Sequence, residues 1–228
     1  MLPLDEYAPW LVWLIPLAGS VLVPVAASVN AKARDWFAVV VSFVGAAYAV
    51  SMIPQVLSLH GEARILSVPW IPQIGLRAGV LLDPLSVLMA NIASCIGALI
   101  VLYSIGYMAH EEGLTRYYFF ILFFIGGMNG LVMADNFLQL FIFWEIVGLC
   151  SYALIGFWYR KESASRAGIK AFIVTKTGDI LMLIGILVLF SMTGSFGFLD
   201  SKGAVEAGRI TLPLLATISL LIFGGILL

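Results

Sequence analysis

Charge is scarce in this chain. Lysine, arginine, aspartate and glutamate together supply 11% of its 228 residues, where soluble domains carry about 25%. The two signs nearly cancel, leaving a formal net charge of −1. A nucleic-acid partner would need a basic face, so none is expected. Cysteine is scarcer still. Cys95 and Cys150 both lie inside apolar runs and read as small core residues, not as a disulfide or metal pair. His60 and His110 fall in or beside loops, with no partner at ligand spacing. There is no CxxC pair, no Walker-type loop and no GxGxxG. The sequence therefore carries no haem, iron–sulfur, nucleotide or flavin signature, and no cofactor or metal is expected in this chain. Positive charge is also missing at the start. MLPLDEYAPW places acids where a signal peptide has its basic region, so it reads as a short acidic lead.

Hydrocarbon fills the space that charge leaves. Apolar residues make up 62% of the chain and the mean hydropathy is +1.06. That much apolar surface cannot be hidden from water in one domain, so the composition specifies an integral membrane protein. A bilayer core demands about 20 apolar residues of a helix. Seven segments approach or meet that length: about 8–29, 36–56, 82–108, 117–134, 136–158, 163–192 and from 211 onward. The expected fold class is an all-α bundle of about seven transmembrane helices. The stretch Ser58–Val80 is too polar to span. Its Pro69, Pro72 and β-branched residues around Trp70 predict a short strand or hairpin at the membrane surface. The last segment is still apolar at Leu228 and has no polar exit, which is expected of a truncation point inside a longer protein.

Basic residues orient the spans. Lys32, Arg34, Arg116, Arg160, Lys161 and Arg166 fall on one side, and Arg64, Arg77, Lys202 and Arg209 on the other. The richer side is cytoplasmic by the positive-inside rule, which puts the N-terminus outside in a multi-pass inner or cytoplasmic membrane protein.

A few charges belong to neither side. Glu145 sits mid-way along NFLQLFIFWEIVGLCSYALIGFW, where it is the one charged residue. An ionisable group near the centre of a span costs at least roughly 2.5–3.5 kcal/mol, and is kept for a partner or a function. At i±3 and i±4 its own helix offers Phe141, Ile142, Gly148 and Leu149, so a partner has to come from another helix. Lys176 and Asp179 lie inside AGIKAFIVTKTGDILMLIGILVLF, three residues apart and able to share a face. Lys170 has Arg166 four residues before it and is placed to snorkel to the surface. The structural alternative for Lys176–Asp179 is a satisfied internal ion pair. Asp83, ahead of Pro84, suits a helix cap, and Asp135 is expected to cap the fifth span. Gly126, Gly127, Gly130, Gly148, Gly156, Gly168 and Gly178 interrupt the fourth to sixth spans, where small residues let helices approach.

LLDPLSVLMANIASCIGALIVLYSIGYM, FWEIVGLCSYALIGFWY and AGIKAFIVTKTGD resemble the antiporter-like proton-pumping membrane subunits of respiratory complex I, the L-type above all. The resemblance covers nearly the whole chain and is strongest over 82–179. It divides the sequence into 1–81, two helices and a surface hairpin, and 82–228, the start of an inverted-repeat antiporter-like domain. By this resemblance Glu145 corresponds to a fifth-helix glutamate that pairs with a seventh-helix lysine. Lys176 stands where an arginine is usual, and Asp179 matches the aspartate of the same run. The family's seventh-helix pattern resembles FGGxxxKSAQFP, whereas this chain ends FGGILL. Glu145 is therefore expected to be left without its main counter-charge here, and the second repeat and lateral helix are expected to be missing.

The resemblance implies a non-redox, proton-translocating subunit of a complex I-like, NADH- or deazaflavin-dependent oxidoreductase acting on a quinone or phenazine. Its ion path would run through Glu145, Lys176 and Asp179. Its partners would be other membrane subunits, the lipid bilayer, and protons or, alternatively, sodium ions. Related possibilities are the large subunit of a multisubunit sodium/proton antiporter and the membrane partner of a bicarbonate-accumulating pump. A purely structural membrane scaffold is disfavoured by Glu145.

Overall fold

A computed structural model describes residues 7–227, so the acidic lead over residues 1–6 and the last residue lie outside the described residues. The apolar segments form helices where the sequence places them: α1 (Ala8–Val29), α2 (Ala31–Ser58), α3 (Pro84–Tyr107), α4 (Leu114–Val132), α5 (Phe137–Ile155), α6 (Glu162–Thr193) and α8 (Leu212–Leu227). Five of them, α1, α2, α3, α5 and α6, are long and apolar enough to cross a membrane. In α4 the polar Arg116 and Asn129 dilute the run, and α8 is shorter, with 16 residues. Between the second and third helices the expected hairpin is present as β1 (Arg64–Ile71) and β2 (Leu76–Leu82), a two-stranded sheet. Its tip is turned by Gly75 at φ 66°, a left-handed conformation that a side chain would resist. The connection after α6 contains a helix that the sequence reading did not anticipate, α7 (Phe198–Glu206). Nine residues with acidic, basic and apolar positions mixed give little periodic signal.

Packing groups the chain into two compact units, residues 1–66 with 80–133 and residues 67–79 with 134–228. The first holds α1 to α4. Ala8, Val12, Ala49, Met52, Val87, Ala90 and Met133 are among the buried residues of its core. Close approach is set by small residues. A Cβ on Gly126 of α4 would lie 2.9 Å from the Leu17 backbone nitrogen of α1, and one on Gly97 of α3 would lie 2.8 Å from Ile125 of α4. Two amide side chains here reach across to neighbouring helices. The Asn129 amide donates to the Ser94 hydroxyl at 2.9 Å, and the Asn91 amide donates to the Ala49 carbonyl at 2.9 Å. Asp83 caps α3 as expected, its carboxylate accepting from the Ser86 backbone N–H at 2.7 Å.

The second unit holds α5 to α8, with α6 packed on both α5 and α8. Gly168 of α6 faces Gly156, the residue that ends α5, so closely that a Cβ would lie 3.3 Å from the Gly156 Cα. Gly225 of α8 faces α6 in the same way, with a Cβ placed 2.5 Å from that of Met182. Gly148 has nothing within 4 Å of a built Cβ, so the close-packing reading does not extend to it.

The cap of α5 differs from the expectation. Asn136, not Asp135, occupies the N-cap, and its side-chain oxygen accepts from the Gln139 backbone N–H at 2.8 Å. Cap geometry needs the side chain to fold back over the first turn, and Asp135 stands one residue too early. It is instead buried, accepting from the Asn136 amide at 2.6 Å, while Gln139 clamps both backbone groups of Gly79. Phe198 N–H of α7 donates to the Asp135 carbonyl at 3.2 Å and ties the far connection to this point.

Asp135 lies in a connection, outside the spans. Burial raises its pKa, opposed by the Asn136 hydrogen bond and the Arg77 charge and reinforced by Asp200. A carboxyl raised on folding contributes stability below its unfolded pKa and loses it as pH rises through the folded one. Asp135→Asn is therefore expected to flatten the acid-side pH dependence of thermal stability in detergent and to leave the protein no less stable at neutral pH. A scan of melting midpoint against pH checks this. An unchanged slope would contradict it.

Candidate functional site: a charge cluster on two apolar helices

Helices α5 and α6 are joined by a tight connection and run back to back. In an antiparallel hairpin the residues that meet are those equally far from the turn. Gly156 meets Gly168, Tyr152 meets Phe172 with ring centroids 5.2 Å apart, and Trp144 meets Asp179. Lys176 lies three residues nearer the connection than the position level with Glu145, and its stem spans that offset to reach the Glu145 carboxylate.

All three residues singled out in the sequence gather there. The Lys176 ammonium donates to the Glu145 carboxylate and, at 2.7 Å, to Asp179 Oδ2. The Trp144 indole N–H donates to Asp179 Oδ1 at 2.8 Å. Lys176 Nζ also stands 5.5 Å from the Phe172 ring centre, within cation–π range. The cluster grades from inside to outside: the Asp179 side chain is 5% exposed, Lys176 26% and Glu145 34%. Asp179 is thus the buried anchor and Glu145 the accessible end.

The expectation that Glu145 would be left without a counter-charge is corrected. Its partner comes from another helix, as its own helix requires, but that partner is Lys176 of α6. The reach of a lysine stem explains how one ammonium serves both an i+3 carboxylate and one on the facing helix. Lys170, two turns nearer the start of α6, is exposed and lies outside the cluster. Trp144 was missed. Its signal was its place beside Glu145 and its equal distance from the turn with Asp179.

Two carboxylates facing one ammonium are a proton-binding arrangement. Fully ionised, the cluster carries one net negative charge. One added proton would neutralise it. No redox-active group is needed for that chemistry.

Residues 134–228, which contain the whole cluster, match the family described as NADH:quinone oxidoreductase/Mrp antiporter, TM. Residues 70–118 match the N-terminus of chain 5 of NADH-ubiquinone oxidoreductase, complex I. Over 238 aligned residues the chain is 38% identical to NAD(P)H-quinone oxidoreductase chain 5 of Picosynechococcus sp., an alignment covering 99% of this chain and 36% of that protein. The chain belongs to this family of antiporter-like membrane subunits. It spans about a third of the length of the curated relatives it matches. Among solved structures, a chain of the archaeal membrane-bound sulfane sulfur reductase superposes with a TM-score of 0.83 at 22% identity, over 95% of this chain and 43% of that one. A chain of the Mrp complex from Dietzia sp. superposes with a TM-score of 0.81 at 25% identity, over 95% and 23%. The first likeness concerns the fold alone. It agrees with an all-α bundle.

Proposed function

We propose that the chain is the ion-translocating part of a membrane subunit in a complex I-like, redox-driven pump, and that Glu145, Lys176 and Asp179 exchange the translocated proton. The observation that carries this reading is the cluster itself, two carboxylates and one ammonium held between apolar helices. Charged groups at that depth are costly and mark ion pathways. The names of the relatives support the redox-driven class, since they are subunits of NAD(P)H-quinone oxidoreductases. In this reading the chain performs no electron transfer. Electron transfer in neighbouring subunits shifts Lys176 away from Glu145. A buried carboxylate that loses its counter-charge binds a proton, and the return of the ammonium expels it. The likeness to an Mrp complex chain favours a second reading, a sodium/proton antiporter subunit driven by an ion gradient.

Purifying the complete parent protein from native membranes separates the two. Redox subunits should co-purify, and oxidation of their electron donor in proteoliposomes should drive proton movement without added sodium. Small membrane subunits alone, with sodium-dependent proton exchange and no donor oxidation, would replace the first reading by the second.

The orientation is part of the proposal: N-terminus outside, in the inner or cytoplasmic membrane. Single cysteines placed in 30–35 and 159–162 should be labelled from the cytoplasmic side, and those in 58–80 from the opposite side. Labelling of all three from one side would reject this topology.

A further inference from the structure

We infer that Trp144 is a positioning residue of the charge cluster. Its indole N–H fixes Asp179 as the standing counter-ion of Lys176 and so leaves Glu145 as the carboxyl that exchanges the proton. This rests on the proposed role of the cluster and divides the labour within it.

Helix α5 presents two groups side by side: Glu145 accepts from Lys176, and Trp144 donates to Asp179. The two carboxylates are consequently not equivalent. Each Asp179 oxygen has its own donor, Oδ1 from the indole and Oδ2 from the ammonium. Among the described residues, Glu145 has the ammonium alone. A hydrogen bond to a charged group is worth roughly a ten- to hundredfold preference for the charged form, and Asp179 has one such bond more than Glu145. Exposure points the same way, because Glu145 is the more accessible carboxyl and Asp179 is nearly sealed. The linkages differ too. Lys176–Asp179 joins residues of one helix three apart, whereas Lys176–Glu145 joins two helices. A shift between α5 and α6 breaks the second contact and keeps the first. Lys176 then never faces hydrocarbon unpaired. Of the other elements packed on α6, α8 contains no titratable group and α7 carries Asp200, Lys202 and Glu206, of which Lys202 pairs with Glu206 and Asp200 accepts from the Ser195 hydroxyl; Cys150 and Tyr152 of α5 and the exposed Lys170 lie outside the cluster.

The test uses the complete parent complex in proteoliposomes and reads pumping per electron against pH. Trp144→Phe keeps a ring and removes the donor. Trp144→Gln keeps an N–H donor and removes the ring. With the donor gone, Asp179 competes for the proton, and the pH profile of pumping should move to higher pH by roughly one to two units, the equivalent of a ten- to hundredfold change in partition. Trp144→Gln should keep the wild-type profile. A wild-type profile in Trp144→Phe, or a displaced one in Trp144→Gln, overturns the assignment. If Trp144→Phe fails to assemble, Trp144→Gln decides alone, and failure of both makes Trp144 a packing residue and also overturns it. Glu145→Gln serves as the control. If that variant pumps normally, the cluster reading itself fails. If it stops pumping while Trp144→Phe is unaltered, only the role of Trp144 fails.

Discussion

Lys176→Met in the complete parent protein is expected to cut the amount of assembled complex severely. The substitution removes the one ammonium that faces two carboxylates, and Asp179, 5% exposed, is left without an ionic partner. Stranding a buried charge by deleting its partner typically costs about 3–5 kcal/mol, a large part of the stability of any domain. Glu145 adds less to this penalty, because a third of its side chain can be solvated. The prediction has an internal check. The double variant Lys176→Met/Asp179→Asn removes the stranded charge and keeps an acceptor for the Trp144 indole. It should recover assembly, measured as intact complex on native gels, and should not recover pumping. Full assembly of the single variant would show that Lys176 does not compensate Asp179.

Glu145→Gln is expected to do the reverse, assembling normally and pumping poorly. Glutamine keeps the size of the side chain and an oxygen that can accept from Lys176. It removes the charge that would otherwise need compensation, so folding loses little. Lys176 keeps Asp179 as its partner. The titratable proton is gone. A positioned proton-transfer group typically contributes a hundredfold or more, so pumping per electron should fall by roughly tenfold or more. Glu145→Ala would be a poorer test, since it also opens a void.

Much of this architecture was legible in the chain. The apolar runs gave the helices, because a bilayer imposes a length and a polarity that few other environments do. Asp83 before Pro84 announced the start of α3, since capping chemistry is local. Glu145 stood out because charge is rare in such a run, and the Lys176–Asp179 pair followed from helical spacing. What escaped was either shifted by one position or carried between helices. Asp135 and Asn136 are both good caps by composition, and only the backbone decides that Asn136 takes the role. Helix α7 has too little periodicity to announce itself. The Glu145–Lys176 contact depends on where the α5–α6 turn falls. Counting outward from the turn brings Trp144 and Asp179 to within one residue of the same level, whereas Lys176 falls three residues short of the level of Glu145 and meets it only through the length of its side chain.

The central claim is that Glu145 gains and loses a proton during turnover, and infrared difference spectroscopy of the working complex tests it most directly. The complete complex, triggered by its electron donor, should show a protonated-carboxyl band that appears and decays with turnover, and the band should be missing in Glu145→Gln. Identical carboxyl signals in the wild type and in Glu145→Gln would show that Glu145 keeps its charge throughout, and the account would be wrong.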